Sequence, residues 1–251
     1  VAKQNVATVK YTLWCDQEGF VIDDGTLFRI SDNDFRLCSQ EKHLPWLIDT
    51  SYGFDVEIID ESKHICGISL QGPTSASILR LLGVNGIDNL KPFHLFQTKI
   101  SNMPVMISRT GFTGDLGYEM FMRNNAANKI IDKVWNAGTN HGLMAIGYNA
   151  LNMARIEAGF LVANIDFIPS DHAIRPDRCR RPEDLGLGWL VDFNKGFFNG
   201  KKAILNNKLK SDNTFKIYAL EIDGKEPVEG SIIYYNKKDE VGTVTSAIWS
   251  P

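Results

Sequence analysis

The stretch MPVMISRTGFTGDLGYEMFMR, residues 103–123, predicts two short strands joined by a glycine-rich connection. Its two ends are apolar at strand length, and Gly111, Gly114 and Gly117 stand at a spacing of three between them. Glycine adopts backbone angles that other residues avoid and lets another group approach the chain closely. The connection is therefore predicted either to turn tightly or to lie against a ligand.

The glycine pattern does not match a phosphate-binding loop. The spacing is GxxGxxG rather than the GxGxxG of dinucleotide-binding proteins, and a strand rather than a helix follows it. No Gly-Lys-Ser or Gly-Lys-Thr follows, as a Walker loop requires. Because the helix N-terminus that would receive a phosphate is missing, we set this kind of site aside.

Glu119 is the first candidate site residue. Successive side chains of a strand point to opposite faces, so Glu119 lies with Phe121, whereas Tyr118, Met120 and Met122 lie on the other face. If those three apolar side chains pack in a core, the carboxylate points to the opposite side of the sheet. The residues alone favour a solvent-facing glutamate there, with a ligand-binding carboxylate as the alternative.

A second candidate lies in FVIDDGTLFRI, residues 20–30. Two adjacent carboxylates in an apolar strand point to opposite faces, and Asp24 shares its face with Ile22 and Thr26. A carboxylate in such a place is unfavourable unless it is hydrogen-bonded or acts on a ligand. The alternative is a tight bend at Asp23, Asp24 and the following glycine, with both acids in water.

The order of the predicted elements indicates an α+β fold. A strand, a helix, a pair of strands and two further helices follow one another without a strict βαβ alternation. Strands are predicted in YTLW, VIDDGTLFRI, DFRLCS and HICGISLQGP, and helices in SASILRLLG and over about 126–137 and 147–158. From Phe215 onward, FKIYALEI, SIIYY and VGTVTSAI predict only strands, as at the start of a separate β-barrel or sandwich.

The composition argues against several classes of protein. The formal charge of the 251 residues is −3 with Lys and Arg spread along the chain, which argues against a nucleic-acid surface or a polybasic membrane patch. No apolar run reaches the roughly 20 residues that span a bilayer. The four cysteines are far apart and form no metal motif, so we expect reduced thiols, no metal and a cytoplasmic location. Because both ends fall in predicted strands, we expect a fragment of a longer protein.

Six segments of the chain carry a family resemblance: YTLW with GFVIDDGTLFRI, SLQGPTSASIL, PVMISRTGFTGDLGYEMFM, ARIEAGF, LGLGWLVDFNKGFFNGKKAI and GTVTSAIWSP. In this order they resemble the glycine-cleavage T-protein (aminomethyltransferase) family and its folate-dependent demethylase relatives. The resemblance runs from about Tyr11 to Pro251. It implies a ring of two α+β lobes and a β-barrel, with tetrahydrofolate in the central opening and a barrel that this chain does not complete.

The resemblance also implies roles for individual residues. Asp24 matches the carboxylate near the folate N5/N10 edge, where it would stabilise developing positive charge and help to move a proton. Glu119 matches the carboxylate that accepts the two adjacent donors of the pterin. The other residues that it assigns to the folate pocket are Tyr11, Thr26, Cys38, Gln40, Phe93 and Phe112.

The same resemblance implies the domain organisation. It predicts a folate-binding region of two α+β lobes over 1–190, divided near residue 64, then a connector over 191–213 and the start of the barrel over 214–251.

Four positions depart from the T-protein pattern. Phe112 and Gln40 stand where the family has Tyr and Asn, and Leu151 and Gln97 stand where it has Arg and Lys. The last two changes remove positive charge that would pair with the folate glutamate tail or with an acidic partner.

The leading prediction is therefore a tetrahydrofolate-dependent one-carbon transferase of the aminomethyltransferase type, whose donor in the family is a lipoylated carrier protein. Two alternatives stay open. One is a folate-dependent demethylase of a small N-, O- or S-methyl compound, and the other is a non-catalytic folate-binding or assembly module.

Overall fold

The computed structural model describes residues 3–207, 215–223 and 228–249, in which helices and strands are interspersed. In chain order they are β1 (Thr8–Cys15), β2 (Val21–Arg29), β3 (Phe35–Ser39), α1 (Leu44–Thr50), β4 (Ile65–Gln71), α2 (Ser75–Leu81), β5 (Leu95–Ile100), β6 (Met103–Ser108), β7 (Gly117–Arg123), α3 (Asn124–Gly138), α4 (Tyr148–Glu157), α5 (Lys201–Asn207), β8 (Ile232–Tyr235) and β9 (Asp239–Thr243). The predicted α+β class is confirmed. Sequence patterns did not predict α1, β5 or α5.

The described chain divides into two compact units. The first comprises the residues up to Lys10 together with Leu27–Leu37 and Glu41–Leu151. The second comprises Tyr11–Thr26, Cys38–Gln40 and the residues from Asn152 onward. Strands β1, β2 and β3 each contribute residues to both units, and they form a three-stranded sheet in the order β1-β2-β3.

The first unit is built on a four-stranded antiparallel sheet in the order β4-β7-β6-β5. Helices α2 and α3 pack on one face of this sheet and share its hydrophobic core. The predicted alternation along β7 holds, because Tyr118, Met120 and Met122 are all buried in that core. The helices contribute Ile78, Leu79, Ile130 and Val134.

The second unit has a smaller apolar core and a buried ion pair. The core consists of Cys15, Val21, Ala163, Phe167, Leu185, Leu187 and Ile204. Arg155, at the end of α4, pairs with Asp166, and each side chain is only 3% exposed. Ser246 joins the pair, accepting from Arg155 Nη2 at 2.8 Å and lying 2.5 Å from Asp166 Oδ1. The network ties residues far apart in sequence.

The strands predicted from Phe215 onward are confirmed only in part. Strands β8 and β9 form an antiparallel hairpin with an irregularity between Ile233 and Tyr234. Residues 215–223 form no strand, although their alternation predicted one. Phe215, Tyr218 and Leu220 are exposed there, so the segment lacks the covered face that stabilises a strand. The predicted connector and barrel also include residues 208–214, 224–227 and 250–251, which lie outside the described residues.

None of the helices that the structure describes is both long enough and apolar enough to cross a membrane.

The buried ion pair gives a stability prediction. Replacing Arg155 by Met leaves the Asp166 carboxylate buried without its cation, so we expect a loss of about 3–5 kcal/mol in the free energy of unfolding. Urea unfolding measures this loss. The matched control is Arg123→Met, because Arg123 pairs with Glu61 at 2.9 Å on the surface, and an exposed pair contributes at most about 1 kcal/mol. Equal losses in the two variants would contradict a stabilising role for the buried network.

Candidate functional site

Asp24 lies in the middle of β2, not in a bend. The strand runs without interruption from Val21 to Arg29, so the alternative of a tight turn with both acids in water is wrong. Asp23 is buried with 1% exposure, and its Oδ1 accepts a hydrogen bond from the Asp24 backbone N–H at 2.8 Å. Asp24 itself is half-buried.

Tyr11 holds the Asp24 carboxyl. The Tyr11 hydroxyl, from β1, donates to Asp24 Oδ2 at 2.7 Å. The ring of Trp189 lies beside Tyr11, with the ring centroids 6.3 Å apart and the planes inclined at 40°. The structure therefore brings together two of the residues that the resemblance assigned to the folate pocket.

Burial is the main influence on the pKa values of Tyr11 and Asp24. It is the main cause that raises the pKa of Asp24 to about 6, and the nearby Asp23 charge raises it further, whereas the hydrogen bond from Tyr11 lowers it. Burial first, and then the negative charge of Asp24, also raise the pKa of the Tyr11 phenol. At neutral pH the tyrosine is thus a donor and Asp24 is mostly ionised, yet close to the pH at which it takes up a proton.

The other predicted residues of the second unit lie in β2, in β3 or directly after β3. A Cβ atom at Gly25 would lie 2.3 Å from the backbone oxygen of Cys38, so only glycine allows β3 to approach here. The side chains of Thr26 and Cys38 are half-buried. Gln40 is exposed, and its Nε2 donates to the backbone oxygen of Ala163 at 3.4 Å.

Glu119 accepts a hydrogen bond from a buried hydroxyl. It is half-buried, so the solvent-facing alternative is wrong. Thr110 Oγ1 donates to Glu119 Oε2 at 2.5 Å, and Ser108 Oγ lies 2.6 Å from Thr110 Oγ1. Burial raises the pKa of the Glu119 carboxyl, and the Thr110 hydrogen bond opposes that rise.

Sequence reasoning missed Ser108 and Thr110 as part of this site. The pairing of β6 with β7 places Ser108 directly opposite Glu119, but that register is visible only after the strands are paired. The signal present in the sequence is the pair of hydroxyl residues in SRT at the end of β6.

The side chain of Gln71 is the reason why glycine stands at two of the three glycine positions in the connection between β6 and β7. A Cβ atom at Gly111 or Gly117 would lie 2.0 or 1.8 Å from Gln71 Oε1, so the glutamine side chain lies against both backbones. Only Gly114, with φ of 74°, has left-handed backbone angles. The close approach that the glycines predicted is therefore made by a side chain of this protein itself.

Phe93 and Phe112 lie at the borders of the first unit's strands. Phe93 has a left-handed backbone with φ of 58° and is half-exposed. Its N–H donates to Arg109 at 3.0 Å, and its carbonyl accepts from Val9 at 2.8 Å, and these two bonds hold the strained residue. Phe112 is half-buried in the glycine-rich connection.

The two predicted carboxylates belong to different compact units, Asp24 to the second and Glu119 to the first. Asp24 has Tyr11 as its hydrogen-bond donor, and Glu119 has Thr110. Across residues 3–207, 215–223 and 228–249, no group of three or more His, Cys, Asp or Glu side chains is arranged to hold a metal ion.

The sequence and the fold are similar to those of known proteins. The family described as the GCVT N-terminal domain matches residues 1–195. The chain therefore belongs to the glycine-cleavage T-protein (aminomethyltransferase) family.

Individual relatives agree with this assignment. An aminomethyltransferase of Halothermothrix orenii is 29% identical over all of this chain and 68% of that protein. A trimethylamine-oxide aldolase of Ruegeria pomeroyi is 31% identical over 98% of this chain and 31% of that protein. The crystal structure of glycine cleavage system aminomethyltransferase T from Bartonella henselae has a TM-score of 0.82 at 23% identity, which shows the shared fold, and covers 98% of this chain and 65% of its own. This chain thus spans about two thirds of the length of these aminomethyltransferases.

The raised pKa of Asp24 predicts a stability that depends on pH. The ordinary pKa of an aspartate in an unfolded chain is about 3.9. The folded state therefore binds more protons between about pH 4 and pH 6, and stability falls as the pH rises through that window. Asp24→Asn removes this cost, so we expect the variant to be about 1–3 kcal/mol more stable than the wild type at pH 7.5, and little different at pH 4.

Urea unfolding at the two pH values measures this difference. Asp132→Asn, at an exposed position on α3, is the control, and it is expected to show no such pH dependence. A stability difference between Asp24→Asn and the wild type that is the same at both pH values would contradict the raised pKa.

Proposed function

We propose that this chain is the folate-binding part of a tetrahydrofolate-dependent one-carbon transferase of the aminomethyltransferase type. The observation that carries the proposal is the Asp24 carboxyl, which is half-buried in a strand, held by Tyr11 and has a pKa near 6. Folding a carboxylate into such a place is unfavourable, and functional sites are where such perturbed groups cluster. The family assignment supports this reading.

The residues present fit tetrahydrofolate. Glu119 offers two carboxylate oxygens with about four acceptor positions, and the hydrogen bond from Thr110 uses one of them. The pterin presents two adjacent N–H donors, which an ionised carboxylate can accept together as a fork. Because Glu119 is half-buried, these bonds would be partly shielded from bulk water, which strengthens them. Phe112 and Phe93 would supply apolar surface beside the ring.

Asp24 would have two roles, one toward the positive charge that develops on the one-carbon unit and one toward the proton that the nucleophile releases. When bound, tetrahydrofolate supplies the nitrogen nucleophile that receives the one-carbon unit. The ionised Asp24 carboxylate can stabilise positive charge that develops on that unit. With a pKa of about 6 it can also accept the proton that the nucleophile releases. Tyr11 would keep the carboxyl oriented by its hydrogen bond to Oδ2.

The placement of Glu119 predicts a loss of folate affinity. Glu119→Gln keeps the shape of the side chain but removes the charge and turns one acceptor into a donor that faces other donors. Each charge-assisted bond contributes about 1.5–3 kcal/mol, so we expect tetrahydrofolate to bind about 10- to 100-fold more weakly by calorimetry. Glu119→Ala should lose at least as much. The exposed Glu18→Gln is the control, and unchanged affinity in Glu119→Ala would refute the placement.

Asp24→Asn separates catalysis from binding. The amide can still accept the Tyr11 hydrogen bond but carries no charge and takes up no proton, so we expect turnover to fall by about 100-fold or more. The dissociation constant for tetrahydrofolate should change by no more than about twofold, as for an interaction made mainly in the transition state. Steady-state kinetics of the full-length protein and calorimetry measure the two effects. If affinity fell as much as turnover, Asp24 would be a simple binding group.

A second candidate is the transfer of a one-carbon unit from a small methylated amine. It is favoured by the relative named for trimethylamine oxide, which matches 98% of this chain. An assay of the full-length protein with tetrahydrofolate distinguishes the candidates by the donor that is consumed. Methylene-tetrahydrofolate formed with ammonia from an aminomethyl carrier supports the leading proposal, and a one-carbon unit on tetrahydrofolate formed from the methylated compound without a carrier supports demethylation.

The proposal extends to partners and domains. The aminomethyl donor would be carried by a lipoylated protein, as the aminomethyltransferase reading requires. We keep the division into a folate-binding region over 1–190, a connector over 191–213 and the start of a β-barrel over 214–251 as a prediction.

A further inference from the structure

We infer that Gln71 and Thr110 are positioning residues for Glu119: Gln71 fixes the backbone on both sides of the glycine-rich connection, and the Thr110 hydroxyl fixes the carboxylate. The inference rests on the proposed function only for the identity of the ligand, tetrahydrofolate. All the contacts that carry it lie in the first unit.

Gln71 stands at the end of β4 and binds the connection through its side-chain amide. Its Nε2 lies 2.9 Å from Ser69 Oγ, 3.4 Å from the Thr110 carbonyl oxygen and 3.3 Å from the Tyr118 carbonyl oxygen. Its Oε1 accepts from Thr113 Oγ1 at 3.2 Å. Two amide hydrogens shared among three acceptors, plus one accepted bond, make this a site for a primary amide rather than for a carboxylate.

The glycines make room for this amide. A Cβ atom at Gly111 or at Gly117 would overlap Gln71 Oε1, at 2.0 and 1.8 Å. Any side chain at either position would push the amide away and break its hydrogen bonds. Gln71 and the two glycines therefore form one packing unit that closes the connection against β4.

The hydrogen bonds of the Gln71 side chain lie next to the hydrogen bond between Thr110 and Glu119. One goes to the carbonyl of Thr110, and another goes to the carbonyl of Tyr118, the residue before Glu119. Gln71 thus holds the two backbone segments that carry the hydroxyl and the carboxylate of the 2.5 Å bond. Moving either segment would lengthen that bond.

The hydroxyls have a defined direction when Glu119 is ionised. A hydroxyl has one proton, and Thr110 gives it to Glu119 Oε2, so Ser108 must donate to Thr110. Ser108 is fully buried and Thr110 is 7% exposed, so these bonds do not compete with bulk water. The chain from Ser108 through Thr110 stabilises the ionised form of Glu119 and restricts the rotation of its carboxylate.

Arg36 is a further charged residue near this face of β7. The guanidinium of Arg36 lies over the ring of Phe121, 5.8 Å from its centroid. Arg36 is the same in all the variants described next, so it does not contribute to the differences between them.

Thr110→Val against Thr110→Ser tests the hydroxyl. Valine keeps the volume and removes the donor, whereas serine keeps the donor. For valine we expect a higher Glu119 pKa and an affinity for tetrahydrofolate that is about five- to tenfold weaker. Carbon NMR of labelled glutamate side chains measures the Glu119 pKa. Serine should retain both wild-type values. Thr98→Val, on β5 of the same sheet and paired with Val105, is the matched control.

The outcomes separate positioning from a structural role. If the Thr110 hydroxyl had only a structural role, Thr110→Val would be less stable, but its Glu119 pKa and its affinity for tetrahydrofolate would be unchanged. That result would overturn the inference. Equal losses of affinity in the serine and valine variants would also overturn it.

A double-mutant cycle tests the link to Gln71. Gln71→Met is similar in volume and removes every side-chain hydrogen bond. We expect it to weaken tetrahydrofolate binding, and we expect the affinity loss in Gln71→Met/Thr110→Val to be clearly smaller than the sum of the single losses. Additive losses would mean that Gln71 does not act through Thr110. Exposed Gln17→Met is the control, and circular dichroism confirms that each variant is folded.

The Glu119 titration needs no ligand, so the two proposals fail separately. If the full-length wild type did not bind tetrahydrofolate, the proposed function would be refuted. The comparison of the Glu119 pKa between Thr110→Val and Thr110→Ser would still decide whether Thr110 positions the carboxylate.

Discussion

The register of β7 between β4 and β6 is the constraint on which the first unit depends. It places Tyr118, Met120 and Met122 in the core and turns Glu119 to the other face, opposite Ser69 and Ser108. A slip of one residue would exchange the two faces, exposing the apolar side chains and burying the glutamate in the core. The same pairing that builds the core therefore presents the candidate ligand group, and the fold and the site cannot vary independently.

Each unit contains buried charge, and the way in which it is compensated separates a structural role from a candidate functional one. Arg155 and Asp166 neutralise each other and are joined by further hydrogen bonds, which is how a fold accommodates charge in its interior. Asp24 and Glu119 instead receive hydrogen bonds from neutral hydroxyls, and burial raises the pKa of both. Their unbalanced charge suits groups whose partner arrives with a ligand.

Several features could be predicted before the structure because they depend on local patterns. Alternation identified most strands of the first unit and the two faces of β7, and the carboxylates stood out because acids are rare in apolar strands. The alternation over 215–223 failed as a strand prediction because a strand also needs a partner and a covered face. The alternative of a bend at Asp23 and Asp24 is wrong because the apolar residues around them favour a continuous strand.

The sequence by itself determined the α+β class, the family and the two acids that we propose as ligand-binding residues, since these follow from residue type, spacing and motif order. Only the tertiary structure decided what holds those acids. Tyr11 meets Asp24 across neighbouring strands, Thr110 meets Glu119 through the pairing of β6 with β7, and Gln71 lies against Gly111 and Gly117 from a third strand. Such contacts join residues that no local pattern relates, because their distance is set by strand pairing and not by the chain between them.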